Sequence, residues 1–295
     1  MKPLKIFHVC ILFIMLTIAG CDAISDQGTW TIIHQTNFKK SANTAGFLDE
    51  SYGITVGPSG ENYYTPDKGQ TWSAATCSSW CLFGLDIVDQ QIAWSCGNSA
   101  NVRLSRDGGK TWQAVTDFGG FEPNHCRFIR FLDAQNGWIA NPKEVASTKD
   151  GGKTWTPIIL PKGIQPITAI DLRTKDAGYL LDISGTLYFT QDQGQTWSSY
   201  SLTLNDNEKI LFAQTPLSAV RFRNASRGTV ILALEDATGR KFTALHSKNS
   251  GKTWKRAALP LEFHYSSSVF LAHDGTTLTH YDASNQKPVT VLKYK

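Results

Sequence analysis

Hydrophobic and polar positions alternate along most of this chain in short runs that are separated by polar turns. Four segments share one order, an apolar run, a polar turn that often contains glycine, and a second apolar run: GFLDESYGITVG, LDIVDQQIAWSCGN, IRFLDAQNGWIAN and AIDLRTKDAGYLLD. A third run such as NVRLS or TLYFT follows, then a tight turn and a fourth run such as WQAV. Such runs, bounded by turn residues, predict four antiparallel strands per unit and an all-β chain.

The turn before the fourth run carries a recurring motif, Ser/Thr-x-Asp-x-Gly-x-Thr-Trp, which we call the Asp box. There are four full copies, a truncated first copy, and a final copy with Asn249 in place of aspartate. The copies end, in order, at Trp30, Trp72, Trp112, Trp155, Trp197 and Trp254. These tryptophans are 42, 40, 43, 42 and 57 residues apart, and self-similarity at about this period predicts a β-propeller.

The residue types of the Asp box are those of a tight hairpin. Its aspartates can accept hydrogen bonds from backbone amides a few residues on, its glycines supply positive φ, and its tryptophan is large enough to fill the space between neighbouring sheets. The motif is therefore interpreted as structural, and not as a set of catalytic or metal sites. The aspartates concerned are Asp67, Asp107, Asp150 and Asp192.

The spacing predicts six blades, with seven as the alternative because the 57-residue interval has room for an extra hairpin near EDATGRKF. Residues 30–33 resemble a fourth strand that lacks the first three. The C-terminal segment GTTLTHYDAS resembles a third strand that lacks a fourth. We expect the N-terminal strand to complete the C-terminal blade and close the ring, which leaves no open edge.

Strand order assigns the loops to two faces. All Asp boxes join strands three and four and lie on one face, the Asp-box face, together with the turns between strands one and two. The turns between strands two and three and the connections between blades lie on the other, the second face, where propellers usually meet their ligands. Aromatic and basic residues there are the predicted binding candidates: Trp80, Phe83, Phe118, Phe121, His125, Arg127 and His264.

Aligning the blades on their first turn places five residues at equivalent positions of the innermost strands. Gly46, Asp86, Arg130, Asp171 and Arg221 occupy this position, with side chains directed at the central channel. Alternating acids and bases predict a paired ring. Such a ring is more often a structural neutralisation than a binding site.

Four cysteines fall on the predicted second face: Cys77, Cys81, Cys96 and Cys126. In an exported protein an even number of cysteines indicates disulfides first. Free thiols, and a metal site that includes His125, are the alternatives. Cys96 with Cys126 would join adjacent blades, and Cys77 with Cys81 would close a local loop.

The N-terminus predicts export and lipidation. Lys2 and Lys5 precede the apolar run IFHVCILFIMLTIAG, which is too short for a comfortable membrane span. The run ends in IAGC, which looks like a bacterial lipobox. We therefore expect a signal peptide at 1–20, a tether at 21–29 that is acylated at Cys21 with palmitate or a similar chain, and a propeller at 30–295. In a Gram-negative host the following aspartate favours the periplasmic side of the inner membrane.

Charge and composition narrow the class of partner. The net charge is +4, and it falls to +2 without Lys2 and Lys5. This charge, without a basic run interleaved with aromatics, is not typical of a nucleic-acid binder. No cofactor or metal is expected, and the propeller is expected to be monomeric.

The Asp boxes resemble the BNR/Asp-box repeats of sialidases and other secreted propellers. The fuller pattern, a strand with Gly-Trp or its equivalent followed by Ser/Thr-x-Asp-Gly-Gly-x-Thr-Trp, is similar to the photosystem II assembly and stability factor family over residues 30–282. That resemblance implies an extracytoplasmic assembly factor that binds membrane-protein partners without catalysis. Members of that family typically have seven blades, and nothing in this chain indicates a photosynthetic host.

The sequence therefore favours a membrane-anchored, non-catalytic propeller of the cell envelope that binds a protein or glycan on the second face. The alternatives are a secreted glycoside hydrolase of the sialidase type and a carbohydrate-binding propeller. A sialidase needs an arginine cluster, a tyrosine–glutamate pair and an acidic proton donor. The Arg-Ile-Pro string that sialidases carry before the first box is absent, and no arginine precedes Trp72.

Overall fold

The structure is a computed structural model and describes residues 28–77, 81–121, 123–213, 215–283 and 288–295. The predicted signal peptide, Cys21 and Trp80 lie outside the described residues. In the described ranges the secondary structure is β-strand with turns and no helix. These ranges therefore contain no helix that could cross a bilayer.

The strands form six separate antiparallel sheets, which are the six blades of a β-propeller. The prediction of six blades with four strands each is confirmed. The chain starts with β1 (Trp30–Gln35); blade 1 then contains β2 (Thr44–Phe47), β3 (Gly53–Val56), β4 (Tyr63–Thr65) and β5 (Ser73–Ala74), and blade 2 contains β6 (Leu82–Ile87), β7 (Ala93–Gly97), β8 (Val102–Ser105) and β9 (Gln113–Val115). Blade 3 contains β10 (Phe128–Phe131), β11 (Gly137–Ala140), β12 (Val145–Thr148) and β13 (Thr156–Pro157), and blade 4 contains β14 (Ile167–Leu172), β15 (Gly178–Asp182), β16 (Thr186–Thr190) and β17 (Ser198–Ser201). Blade 5 contains β18 (Lys209–Ile210), β19 (Ala219–Phe222), β20 (Gly228–Asp236), β21 (Gly239–Ser247) and β22 (Lys255–Ala258), and blade 6 contains β23 (Ser267–Leu271), β24 (Thr277–Asp282) and β25 (Thr290–Tyr294).

The ring closes in blade 6, whose strand order is β23-β24-β25-β1 from the channel outward. Strand β1 pairs antiparallel with β25, with Trp30 opposite Tyr294 and Gln35 opposite Thr290. The N-terminal strand thus supplies the fourth strand, as predicted. The assignment of GTTLTHYDAS to a third strand was wrong. This segment contains β24, the second strand, because the third strand is β25.

Blade 5 explains the long interval between the last two boxes. Its second and third strands, β20 and β21, are nine residues each, and the tip of their hairpin lies between Asp236 and Gly239. The short β18 pairs with the extended end of β20, so this sheet has five strands. The segment EDATGRKF is therefore the end of one long hairpin and not a seventh blade.

Six apolar clusters fill the interfaces between neighbouring blades, and each contains one tryptophan of the repeat. In every case the tryptophan packs against the preceding blade. Trp155 of blade 3, for example, lies edge-on to Trp94 of blade 2 at a centroid distance of 6.4 Å. Gly152 of the same box has φ +79°, and a Cβ there would lie 2.5 Å from the Trp94 ring. Each box therefore needs its glycine both for the turn and for close contact with the neighbouring blade.

The Asp box closes its turn through the aspartate carboxylate. In the third full copy Asp150 Oδ1 accepts hydrogen bonds from the backbone amide of Thr154 at 2.9 Å and from the hydroxyl of Thr148 at 2.8 Å, while the Thr154 hydroxyl donates to Oδ2 at 2.6 Å. These hydrogen bonds, first of all the one from the Thr154 side chain, lower the pKa of Asp150 to about 2. Asn249 makes the equivalent contacts to Thr253 in the final copy.

Because Asn249 reproduces the turn without a charge, we predict that Asp150→Asn costs less than about 1 kcal/mol of unfolding free energy. Asp150→Ala removes the acceptor altogether and is expected to cost roughly 1–3 kcal/mol. Urea unfolding of the two variants measures the difference. Equal losses for the two variants would show that the turn depends on charge and not on hydrogen bonding.

Candidate binding surfaces

The structure brings the four charged residues of the predicted channel ring together in two ion pairs. Arg130 of β10 donates to Asp86 of β6 at 2.6 Å, and Arg221 of β19 donates to Asp171 of β14 at 2.7 Å. Each pair therefore joins adjacent blades. Both guanidinium groups also donate to the carbonyl of Leu271 in blade 6, at 3.0 and 3.4 Å. The ring ties five of the six blades across the channel.

The channel is filled at this level by an aromatic side chain. Phe270 of β23 packs against Gly46 of β2, where a Cβ would lie 2.8 Å from the ring. The guanidinium of Arg130 lies over the ring of Phe270, 5.3 Å from its centroid. A small cavity of about 30 Å³ lies beside Arg130 and Phe270.

The charged residues of the ring are buried, so the carboxylate of Asp86 depends on nearby cations and hydrogen bonds for its stability. Asp86 is fully buried, and burial alone would raise its pKa, but Arg130, His273 and Arg221 together lower the pKa well below its usual range. The backbone amide of Phe131 also donates to Asp86 Oδ2 at 2.6 Å. Asp86 is thus held as a carboxylate that faces cations and not solvent. Both acids of the ring are buried in ion pairs with arginines and are not accessible to a substrate.

Removing one partner of a buried ion pair leaves an uncompensated charge, so we predict that Asp86→Asn or Arg130→Met alone costs about 3–5 kcal/mol. The double variant should cost less than the sum of the two, since it leaves neither charge stranded. Urea unfolding gives these free energies. Asp206→Asn, on an exposed loop, is the control and is expected to change stability by less than about 0.5 kcal/mol. Additive losses in the double variant would contradict a coupled pair.

A disulfide between Cys96 and Cys126 joins blades 2 and 3 on the second face. Cys96 ends β7 and Cys126 precedes β10, and both are fully buried. The second predicted bridge is not formed. Cys77 packs against the cluster that contains Trp112, while the backbone of Cys81 is held by a hydrogen bond from its amide to the Pro58 carbonyl. These contacts hold the two sulfurs in separate half-buried positions.

The disulfide spans 30 residues of sequence, so its loss should cost roughly 2–4 kcal/mol. We therefore predict that the double variant Cys96→Ser/Cys126→Ser melts about 5–15 °C lower than the parent protein, by circular dichroism at constant pH. Cys77→Ser is the matched control. An unchanged melting temperature in the double variant would show that the disulfide does not contribute to the stability of the interface between blades 2 and 3.

Three predicted binding residues of the second face converge beside this disulfide. The guanidinium of Arg127 stacks on Phe83 at 4.5 Å from the ring centroid and donates to Asn98 Oδ1 at 3.1 Å. The exposed His125 lies against the same oxygen, at 3.3 Å. Burial lowers the pKa of Arg127, which still carries its charge at neutral pH. The described residues place no carboxylate against Arg127. Arg127 and Phe83 are nevertheless buried, at 7% and 5% exposed, so of these three candidates only His125 reaches solvent.

Two other candidates are not available on the surface. The structure buries Phe118 and Phe121, which are 8% and 7% exposed, in the cluster between blades 2 and 3. Phe118 lies 6.3 Å from the ring of Trp155. The connection that carries them folds back over this tryptophan, so they hold the loop in place and do not offer a contact surface.

An exposed aromatic patch lies elsewhere on the second face, in the connections of blades 5 and 6. Tyr265 is 56% exposed and Phe212 is 41% exposed. Arg240, near the tip of the long hairpin, stacks on Tyr265 at 4.3 Å, and Phe263 supports Tyr265 from below at 5.6 Å. We call Phe212, Arg240, Phe263 and Tyr265 the aromatic patch. Sequence reasoning missed it, although the candidate His264 adjoins Tyr265.

His264 lies beside this patch in an acidic setting. Its Nε2 is 3.6 Å from Asp282 and 3.8 Å from Glu262, at the wall of a cavity of about 280 Å³ that Ile32 and His280 also line. No group of three or more metal-ligating side chains occurs among the residues that the structure describes. The cavity adjoins the aromatic patch and is lined by both polar and apolar side chains.

Family comparisons agree with the repeat. Residues 103–114 match the BNR/Asp-box repeat, and residues 143–286 match the family described as Sortilin, neurotensin receptor 3. The Photosystem II assembly lipoprotein Ycf48 of Trichormus variabilis is 24% identical over 123 residues, 40% of this chain and 36% of that protein. Its Synechocystis counterpart is 29% identical over 118 residues, 38% of this chain and 34% of that protein. The matched regions span about a third of these curated relatives. The resemblance is confirmed, at low identity.

Solved structures show the fold. YCF48 bound to D1 peptide superimposes with a TM-score of 0.53 at 16% identity, and the match covers 92% of this chain and 96% of that chain. The xyloglucanase from Xanthomonas campestris gives 0.55 at 14% identity, over 85% of this chain and 47% of that chain. The propeller domain of Doa1 gives 0.55 at 10% identity, over 90% and 97%. Since these propellers have unrelated activities, the likeness does not assign a function.

Proposed function

We propose that this chain is a lipid-tethered, non-catalytic propeller of the cell envelope that binds a protein partner through its second face. The observation that carries the proposal is the aromatic patch. Tyr265 is left exposed beside Arg240, and Phe212 is exposed in a connection of blade 5. Aromatic residues with arginine are the types enriched at protein interfaces. The exposed His125 on the same face is a second candidate contact.

The curated relatives support a partner that is a protein. Those relatives are named assembly lipoproteins, and the solved YCF48 structure is of a propeller bound to a peptide. A lipid at Cys21 would place this chain in the same kind of setting.

A glycoside hydrolase is less well supported, although xyloglucanase is among the structural neighbours. Glycosidases act through a pair of carboxyl groups that flank the bond to be cleaved. The two channel acids, Asp86 and Asp171, are fully buried and held by arginines, and Phe270 fills the channel between blades. Neither acid can reach a glycoside in this arrangement.

Partner capture tests the proposal. The intact lipoprotein, crosslinked in its own cells and purified through a C-terminal tag, should retain one protein partner. Phe212→Ser/Tyr265→Ser should reduce recovery of that partner by about tenfold or more, since residues of this type dominate interface energies. Ile159→Ser is the matched control, because Ile159 is equally apolar and 82% exposed but lies on the outer flank of blade 3.

Two outcomes would contradict the proposal. If the patch variant and the Ile159 control recover equal amounts of the partner, the aromatic patch is not part of the interface. Turnover of a glycoside by the purified protein, with no partner captured, would favour the hydrolase.

A further inference from the structure

A groove of about 760 Å³ lies on the flank between blades 5 and 6. It opens at the Asp-box face, because the first residues of β1 and the last box, residues 247–254, form its walls. Its floor is a stack of three rings. Tyr294 lies on His246 at 3.9 Å, and Trp30 lies beside them and donates from Nε1 to His246 Nε2 at 3.1 Å.

The groove is strongly cationic. Together with an adjoining cavity of about 220 Å³ it is lined by six basic side chains, and none of the described lining residues is an aspartate or glutamate. One of the six, Arg256, is already paired with Glu208 at 2.7 Å. We call the other five, together with Lys252 at the tip of the box, the basic flank: Arg223, Arg227, Lys248, Lys252, Lys255 and Lys295.

The departure in the last Asp box contributes to this charge. Asn249 lines the groove and closes the same turn, with Thr253 N–H donating to its Oδ1 at 2.9 Å. Its Nδ2 donates to the Thr253 hydroxyl at 2.9 Å, where in the other boxes the threonine hydroxyl donates to the aspartate. The replacement therefore keeps the hairpin and removes one negative charge at this place. His246 reports the same field, since burial and then the positive charge of Arg223 lower its pKa to about 4.

The position of the groove identifies its partner. Gly28, the first described residue, lines both cavities, and Thr29 is held there by a hydrogen bond from its amide to the carbonyl of Lys295. Cys21 is seven residues before Gly28, so a lipid on it stays within about 25 Å of the groove however those residues run. A surface held at this distance from a membrane meets phospholipid headgroups before any other anion.

We propose that the basic flank docks on the anionic headgroups of the membrane that holds the tether. This inference rests on the proposed function, because it uses the lipid at Cys21. It orients the molecule: the Asp-box face lies toward the bilayer, and the second face, with the aromatic patch, lies away from it. The partner of the second face is then engaged outside the headgroup layer.

Vesicle sedimentation tests docking apart from the tether. The mature chain with Cys21→Ser, which cannot be acylated, should bind phosphatidylcholine vesicles that contain about 30% phosphatidylglycerol, and should not bind pure phosphatidylcholine. Each charge near such a surface changes binding about fivefold. Asn249→Asp should therefore weaken binding about fivefold, and Lys248→Gln/Lys255→Gln about 25-fold, with weaker binding at higher salt.

The matched control is Asp107→Asn, the opposite exchange in the box of blade 2, which should leave vesicle binding within about twofold. Equal binding of the Asn249→Asp variant and the parent protein would overturn the proposal, as would equal binding to both kinds of vesicle. If soluble polyglutamate binds the groove while vesicles do not, the site takes an acidic peptide and the membrane proposal fails.

Mass spectrometry of the native protein purified from membranes shows whether Cys21 is acylated, and so tests the lipid tether separately from the docking of the basic flank. If Cys21 is acylated but the Cys21→Ser chain does not bind vesicles, the docking proposal is contradicted and the lipid tether is supported. If Cys21 is unmodified but the chain binds anionic vesicles, the lipid tether is contradicted and the binding of anionic headgroups is supported.

Discussion

The structure depends on closing a ring, because no blade can bury its inner faces alone. Each interface between blades is filled by an apolar cluster around one tryptophan of the repeat, which packs against the preceding blade. Six such interfaces exist only if blade 6 meets blade 1, and the pairing of β1 with β25 makes this possible. At the centre, Arg130 and Arg221 meet the Leu271 carbonyl of that last blade, so the ion pairs depend on the same closure.

Local chemistry makes much of this fold predictable from the sequence. An Asp-box turn depends on residues within a few positions of one another, so the amino-acid pattern alone assigns Asp150 and Asn249 to hairpins. The charged ring follows from register alone, because the first turn of each blade is easy to align. The sixth position of the ring, Phe270, was missed, since the segment after it resembles a third strand. Its own polar turn at residues 272–276 would have aligned it with Gly46.

Exposure could not be predicted in the same way. Phe121 and Phe212 both lie in connections on the second face, and both look alike in sequence. Phe121 packs into the cluster around Trp155, whereas Phe212 follows the short β18 and stays 41% exposed. The difference comes from which distant blade each loop folds against. The cationic groove is non-local for the same reason, since Arg223, Lys248 and Tyr294 come from three separate segments.

The two faces thus have different physical roles. The Asp-box face is built of turns that are closed by hydrogen bonds within each box, and the basic flank lies at its edge in blades 5 and 6. The second face keeps Tyr265, Phe212 and His125 in contact with solvent. The most direct test is photo-crosslinking in living cells, with a photoreactive residue in place of Tyr265 or, on the Asp-box face, of Lys110. The account predicts one protein adduct from position 265 and none from position 110; adducts from position 110 alone would contradict it.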